Sequence, residues 1–206
     1  MSDLNEVVFS FVSPDQFTKI VAWNKVRNDL VYSKELEDNM LYEELNEYFE
    51  AESIVDKLDA IADFFFVAAG TVAKYHRTKL RNPDQYYSDV SDDFVDALPV
   101  ILADFQGFIA ILGIPFDKAK EMIHRTLDIV IRANEQKGTE KDENGKIKKP
   151  DNFVKPEDQI AMYVADVIEE LERKREELRK ERELAQRGEI NIGPDTQFDE
   201  GGSCGN

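Results

Sequence analysis

The chain has 206 residues, of which 42% are hydrophobic, enough for the core of one domain with room for an appendage. Its formal net charge of −17 repels nucleic-acid phosphates, so binding of duplex nucleic acid through a basic face is not expected. There is no run of 18 apolar residues, the N-terminus lacks a basic secretory region, and the single cysteine, Cys204, excludes a disulfide framework. We therefore expect a cytoplasmic protein that does not bind membranes.

Apolar residues recur at helical spacing along most of the chain, and strand alternation is scarce, which predicts an all-α fold. Gly70 is a point at which one of the helices could be interrupted, and Pro99 implies a kink or a break in another. The loop predicted between these two helices covers residues 80–89. The predicted helices cover approximately residues 14–31, 33–52, 53–79, 91–112, 117–134 and 157–187.

The C-terminal third changes in composition. Residues 138–156 are polar, carry five lysines and read as a loop, the most basic stretch of an acidic chain. The helix at 157–187 is highly charged, and its apolar stripe thins after Leu171, which predicts a solvated or partner-seeking extension. Residues 188–206 read as a disordered tail. We accordingly predict a domain over 1–156, a helical extension over 157–187 and a tail over 188–206.

Residues 43–63 carry eight acidic residues and one base, Lys57. On a helical wheel, Glu44 falls inside the apolar arc of its helix and Glu47 lies at the edge of that arc. Glu43 and Glu50 lie on the outer side, where ordinary solvated acids belong. The position of Glu44 therefore needs an explanation other than solubility.

The next helix has an acidic stripe beside its apolar face, formed by Glu52, Asp56, Asp59 and Asp63 at steps of four, three and four. Like charges in a row repel one another, and buried carboxylates cost several kcal/mol each unless they are paired. A hard divalent cation such as Mg²⁺ relieves both costs, because it prefers carboxylate oxygens. Two antiparallel helices would face Glu44 and Glu47 against Asp59 and Asp63 across one metal site. The alternative is a solvated acidic surface.

Two ordered blocks resemble the all-α nucleoside triphosphate pyrophosphohydrolases of the MazG type, in their phage-type form. The first is EELNE at 43–47 followed by DKLDAIADFFFVAAG at 56–70, similar to the family's EExxE and later ExxD patterns. The second, at 112–138, ends in a V-x-x-x-N-x-x-K pattern, and a D-x-x-G-K element at 142–146 follows. A lysine, an aromatic residue and a proline come next, and the resemblance covers roughly residues 15–160.

The resemblance implies a MazG-like helical bundle that hydrolyses a (deoxy)nucleoside triphosphate to the monophosphate and pyrophosphate, for control of a nucleotide pool. Mg²⁺ is the implied cofactor, with Mn²⁺ as a substitute, and water attacks the α-phosphoryl group. The implied assembly is a homodimer or homotetramer, and a phage origin would place it in the host cytoplasm. A strict ExxD would need an acid at Ala60. Either Asp59 takes that role beside Asp63, or Asp56 and Asp59 form the pair.

The resemblance also assigns roles to individual residues. Glu43 or Asp56 would orient or deprotonate the water. Asn134 would bind phosphate or sugar, with capping of the helix C-terminus as the alternative. Trp23 would stack on a base and Asn24 would read a base edge, although packing in the core is the alternative for both. Lys137 would neutralise the triphosphate together with three loop lysines, Lys146, Lys148 and Lys149, although these three could instead only solubilise the loop.

A different class of function also accounts for the charge. The chain could be a non-catalytic acidic α-helical interaction or inhibitor protein, and such a protein would gain no stability from Mg²⁺. A third reading keeps the family-like fold but gives it a modified or signalling nucleotide as substrate.

Overall fold

The computed structural model describes residues 2–28, 30–91, 93–140 and 147–187. Every regular element in these ranges is an α-helix, which confirms the predicted all-α class. The helices are α1 (Ser2–Phe11), α2 (Pro14–Asn28), α3 (Lys34–Glu50), α4 (Ile54–Arg81), α5 (Asp93–Ile111), α6 (Lys118–Gln136) and α7 (Pro156–Gln186).

Helix α4 is the centre of the bundle and contacts α1, α2, α3, α5 and α6. Ser53 caps its first turn by accepting a hydrogen bond from the backbone N–H of Asp56 at 3.1 Å. Gly70 does not interrupt the helix. A Cβ at this position would lie 2.7 Å from Nδ2 of Asn24, so the glycine allows α2 to pack closely against α4.

Helix α5 is continuous through Pro99, so the predicted break is absent. The missing N–H of a proline leaves a helical carbonyl without its partner, and Pro99 lies on the exposed side of α5. Among the described helices, α5 alone has the length and hydropathy that a membrane span would also have. Five of its apolar residues instead pack into the bundle, as in a core helix: Phe94, Leu98, Ile101, Phe105 and Ile109.

Helix α1 has no counterpart among the predicted helices. It is short, and its contribution to the core comes from two buried residues one turn apart, Leu4 and Val8. The ring of Phe11 at its end stacks on Phe65 of α4, with 4.8 Å between the ring centroids. Tertiary packing on α4 thus accounts for a helix too short to be stable by itself.

The chain divides into two compact units, residues 1–164 and 165–206. The first unit contains the helical core and reaches Val164, whereas the sequence predicted a boundary at 156. In the second unit, the helical residues 165–186 are mostly exposed, and i,i+4 ion pairs such as Lys174 with Glu170 line the helix. Pairs of this kind contribute about 0.3–0.5 kcal/mol each. The predicted tail, 188–206, lies outside the described residues.

Candidate active site

Carboxylates line an open pocket of about 400 Å³ in the first unit. The end of α3, the connection to α4, the first turns of α4 and the first turn of α7 form its wall. Its acidic residues are Glu47, Glu50, Glu52, Asp56, Asp59 and Glu157. The pocket thus brings together acids from the end of α3 and the start of α4, while Glu44 and Asp63 are not among the residues that line it.

Glu44 does not line this pocket, but lines a smaller cavity with apolar residues such as Tyr48 and Ile61. Its neighbours on α3, Leu45 and Tyr48, are buried, and this orientation of the helix leaves Glu44 only partly exposed. Burial raises the pKa of the Glu44 carboxyl well above its usual range, and the charges of Asp63 and Glu47 raise it further. Glu43 and Glu47 are exposed. Glu44 is therefore the acid of α3 that most needs a cation.

On α4, Asp59 and Asp63 occupy successive turns. Burial raises the pKa of Asp59 to about 8, with the charges of Asp63 and Glu157 as the next causes. One Asp59 oxygen, Oδ1, is buried without a hydrogen-bond partner. Burial also raises the pKa of Asp63, although the ammonium of Lys137 opposes that effect. Ala60 is 4% exposed, so an acid at that position would enter the core, and Asp59 is the acid that lies beside Asp63.

The one base of the acidic stretch does not neutralise these acids. The ammonium of Lys57 lies 3.1 Å from the Asp104 carboxylate on α5 and 4.2 Å from the centroid of the Tyr48 ring. Asp104 also accepts a hydrogen bond from the Tyr48 hydroxyl at 2.6 Å. Lys57 is thus committed to α5, and the acidic pocket has to find its positive charge elsewhere.

Glu157 is a pocket residue that the sequence reading assigned to a solvated helix. Its Oε2 is buried and has no hydrogen-bond partner, and its charge helps to raise the pKa of Asp59 and of Asp63. The residue directly follows Pro156 at the start of α7. An acid in the first turn of a helix is common. The sequence therefore does not distinguish Glu157 from the neighbouring acids, and only its position in the fold identifies it as a pocket residue.

The positive charge nearest to these acids comes from the segment after α6. The Lys137 ammonium donates a hydrogen bond to Oδ1 of Asn134 at 2.7 Å and lowers the pKa of Asp63. Burial lowers the pKa of Lys137 itself, and the charge of Asp63 partly restores it. Lys149 acts on Asp63 in the same direction, and both Lys148 and Lys149 are exposed. Lys146, the other predicted phosphate-binding residue, lies outside the described residues.

Trp23 and Asn24 take up packing positions on α2. The Trp23 indole N–H donates to the carbonyl oxygen of Asn134 at 2.8 Å, and the ring meets Phe66 edge-on at 5.2 Å. Asn24 is 3% exposed and its Nδ2 donates to the carbonyl oxygen of Ile20. Asn24 is not brought to the pocket, and base recognition by either residue stays a prediction.

The two predicted water-activating acids are both exposed. Asp56 lines the pocket, and its Oδ2 accepts a hydrogen bond from the Ser53 hydroxyl at 2.6 Å. Glu43 is not among the residues that line the pocket, and its charge contributes to the raised pKa of Glu44. Of the two, Asp56 is therefore the one placed to contact a molecule in the pocket.

The donor chemistry of the pocket fits a divalent cation. Buried carboxylate oxygens without hydrogen-bond donors, on Asp59 and Glu157, are the groups that hard cations bind. In the described part of the chain, no three Asp, Glu, His or Cys side chains are already arranged to hold a metal ion. Binding would therefore require side-chain rotation within the pocket.

No protein-family model matches this chain, and no curated protein or solved structure is significantly similar to it.

Proposed function

We propose that this protein is a Mg²⁺-dependent nucleoside triphosphate pyrophosphohydrolase that converts a (deoxy)nucleoside triphosphate to the monophosphate and pyrophosphate. The observation that carries the proposal is a cluster of interacting acids with raised pKa values, of which Asp59 lines the carboxylate pocket, together with a partly buried ammonium whose charge acts on them. Glu44, Asp59 and Asp63 supply the negative charge, and Lys137 supplies the positive charge. A metal-bound polyphosphate carries charges that complement both groups.

In this proposal, four carboxylates hold the metal: Glu44, Glu47, Asp59 and Asp63. Glu157, whose charge acts on Asp59 and Asp63, assists them. Mg²⁺ would bind the phosphate oxygens and stabilise the charge that develops during hydrolysis. Mn²⁺ offers the same chemistry to the same oxygen donors.

The protein's own groups then have separate tasks. Asp56 lines the pocket and orients or deprotonates the attacking water, with Glu43 as the alternative. Lys137 and Lys149 neutralise the phosphate chain, and Asn134 holds the Lys137 ammonium in place. The acids of α3 and α4 draw the metal-bound end of the substrate toward the core. Lysines alone would bind a polyphosphate without selecting its metal complex.

The finer fold assignment, a MazG-like bundle with antiparallel core helices, belongs to the same proposal. Two pairings between α3 and α4 support an antiparallel arrangement. The early residue Glu37 contacts the late residue Lys74, and the later residue Glu44 interacts with the earlier residue Asp63. The three-residue connection between Glu50 and Ile54 is short enough for such a pair.

We also propose that the protein acts in the cytoplasm as a homodimer or homotetramer. Its support is the face of α5 that the bundle leaves uncovered, where Val100 is 59% exposed and Ile111 is 86% exposed. Light scattering coupled to size-exclusion chromatography would measure the assembly. A monomer at every concentration would contradict it.

The reaction is tested by incubating the protein with each common ribonucleoside and deoxyribonucleoside triphosphate and Mg²⁺, and by measuring monophosphate and pyrophosphate. Turnover should require Mg²⁺ and should be lost in Glu44→Ala and Asp63→Ala. Glu35→Gln is the matched control, because Glu35 is an exposed acid of the same helix α3. Activity that survives both pocket substitutions would refute the assignment.

A non-catalytic acidic protein gives a different result in the same hydrolysis assay. It produces no pyrophosphate, and its melting temperature does not respond to Mg²⁺. A specific ligand at a hundredfold excess over Kd stabilises the native state by about 2.7 kcal/mol. A melting curve with and without Mg²⁺ and nucleotide therefore separates the two functions, and a wider substrate panel would identify a modified nucleotide.

A further inference from the structure

Side chains of α2 hold the segment in which α6 ends. The Trp23 indole N–H donates to the carbonyl oxygen of Asn134 at 2.8 Å. Arg27 donates from Nε to the carbonyl oxygen of Gly138 at 3.0 Å, and from Nη2 to that of Lys137. The Asn134 carbonyl oxygen also accepts from the Lys137 backbone N–H at 3.1 Å, and the carbonyls of Lys137 and Gly138 lie just beyond the end of α6 at Gln136. We call the pair Trp23 and Arg27 the α2 clasp.

The two clasp residues also contact each other. The Arg27 guanidinium carbon lies 4.4 Å from the centroid of the Trp23 ring, a cation–π contact, and Arg27 also donates to the Trp23 carbonyl oxygen. Phe66 of α4 supports the same ring from its edge. Because α4 also carries Asp59 and Asp63, the clasp ties the end of α6 to the helix that bears the pocket acids.

The segment held in this way contains Lys137. Its ammonium is fixed from the side by Asn134 Oδ1 at 2.7 Å and lies 5.8 Å from the centroid of the Phe153 ring. A free lysine side chain loses considerable rotamer entropy when it binds a ligand. Here the backbone and the ammonium are both fixed beforehand, so that cost is reduced for an anion that binds beside Asp63.

We propose that Trp23 and Arg27 are positioning residues, which hold Lys137 where it binds the phosphate chain of a metal-bound polyphosphate. The inference rests on the proposed function and deepens it. In this role Trp23 does not stack on the base. It acts on the phosphate end of the substrate indirectly, by holding the α6 backbone at Asn134. The ligand chemistry is a polyphosphate anion with a divalent cation, whichever base it carries.

The test uses inorganic pyrophosphate with Mg²⁺, because this ligand has no base on which Trp23 could stack. Calorimetry should give Kd values about fivefold weaker for Arg27→Gln and for Trp23→Phe, as expected for the loss of about one net hydrogen bond. Lys137→Gln should weaken binding about tenfold or more. Lys25→Gln is the control, because Lys25 is an exposed base on the same helix and its loss removes the same charge.

A double substitution shows whether Arg27 acts through Lys137. The Arg27→Gln/Lys137→Gln variant should bind pyrophosphate no more weakly than Lys137→Gln alone, since the clasp has nothing left to position. Trp23 is the only tryptophan of the chain, so its fluorescence reports directly on the clasp. Pyrophosphate should change that fluorescence in the wild-type protein and leave it unchanged in Lys137→Gln. Melting temperatures of all variants separate these effects from unfolding.

Three results would overturn the inference. The first is additive losses in the double variant, and the second is the absence of pyrophosphate binding by the folded wild-type protein. The third is a Trp23→Phe variant that binds pyrophosphate normally but loses affinity for nucleotides. That result would mean that Trp23 stacks on the base. If coupled pyrophosphate binding is found but no nucleotide is hydrolysed, the proposed reaction fails and the positioning role stands.

Discussion

Two clusters of buried charge on α3 and α4 differ in one respect that separates structure from function. Glu37 and Lys74 form a buried ion pair, with side chains 0% and 4% exposed, and both carboxylate oxygens lie 2.9 Å from the ammonium. The Thr71 hydroxyl completes the cluster by donating to Glu37 at 2.6 Å. Every charge in this cluster is matched within the protein.

Seven residues further along α3, about two helical turns, Glu44 begins the second cluster. Its acids outnumber the bases that reach them, their pKa values are raised, and the Asp59 Oδ1 has no donor. A carboxylate that the fold satisfies serves stability, whereas a buried one that the fold leaves unsatisfied costs free energy in the absence of a ligand. The second cluster is therefore where a cation would be bound.

The largest effect expected from this contrast is on the matched cluster. Glu37→Ala leaves the Lys74 ammonium buried without its partner, and this should lower the free energy of unfolding by about 3–5 kcal/mol. Urea denaturation measures the change. The double variant Glu37→Leu/Lys74→Met removes both charges and should recover most of the loss. A cost below about 1 kcal/mol for Glu37→Ala would mean that the pair is not closed in solution.

The corresponding change in the unmatched cluster should affect activity instead. Glu44→Gln keeps the shape and removes the charge, so turnover should fall by about a hundredfold, or about 2.7 kcal/mol in activation free energy. Without metal, the variant should be as stable as the wild type or more stable, because a raised pKa marks an unfavourable charge. Steady-state kinetics and urea denaturation in EDTA measure the two effects. A destabilised variant would mean that the Glu44 carboxylate stabilises the fold, as the Glu37 carboxylate does.

The pH dependence of stability sharpens the contrast further. The pKa of Asp59 is raised to about 8 in the folded protein, so the native state keeps a proton that the unfolded chain has released. The stabilising contribution is present below the ordinary carboxyl pKa and is lost as the pH rises toward 8. Asp59→Asn should therefore become more stable than the wild type by about 1 kcal/mol or more across this range.

Melting curves from pH 5 to pH 8.5 in EDTA, compared between the two proteins, measure this difference. Adding Mg²⁺ should stabilise the wild type most at the alkaline end and should have less effect on Asp59→Asn. Curves that stay parallel across the whole range would show that Asp59 has an ordinary pKa.

The smallest effect is expected at the ion pair between Lys57 of α4 and Asp104 of α5. Asp104 is 52% exposed, and its contact with Lys57 is therefore screened by solvent. Asp104→Asn should cost about 1 kcal/mol or less in unfolding free energy and should leave nucleotide hydrolysis unchanged. Thermal denaturation and the hydrolysis assay test both statements. A large loss of activity would indicate that Lys57 also serves the acidic pocket.

Much of the helical framework could be predicted because apolar periodicity is a local property of the chain. The helices from α2 to α7 lie close to their predicted ranges, and the interior position of Glu44 followed from its spacing to the apolar residues of α3. The predicted interruption at Gly70 and the predicted break at Pro99 were wrong, since a close helix contact and an exposed position make these residues tolerable in a continuous helix, whereas a kink at Pro99 stays a prediction. Helix α1 was not predicted, because its stability comes from packing on α4.

The missing parts of the candidate site are those that depend on distant contacts. The pocket position of Glu157 arises because the start of α7 lies beside α4, more than 90 residues earlier in the chain. The clasp residue Arg27 donates to the carbonyls of residues 137 and 138. Local sequence patterns do not predict a partner so far away in the chain. The contact between Lys57 and Asp104 likewise had no local signal.

The sequence by itself determined the all-α class, the excess of acids over bases, and the side of each helix on which those acids lie, because helical geometry converts spacing into direction. Only the tertiary structure decided which charges are matched. Lys74 pairs with Glu37, Lys57 pairs with Asp104, and the charge of Lys137 acts on Asp63 from the segment after α6. The reason is that neutralisation depends on a few ångströms of distance between segments that are remote in the chain.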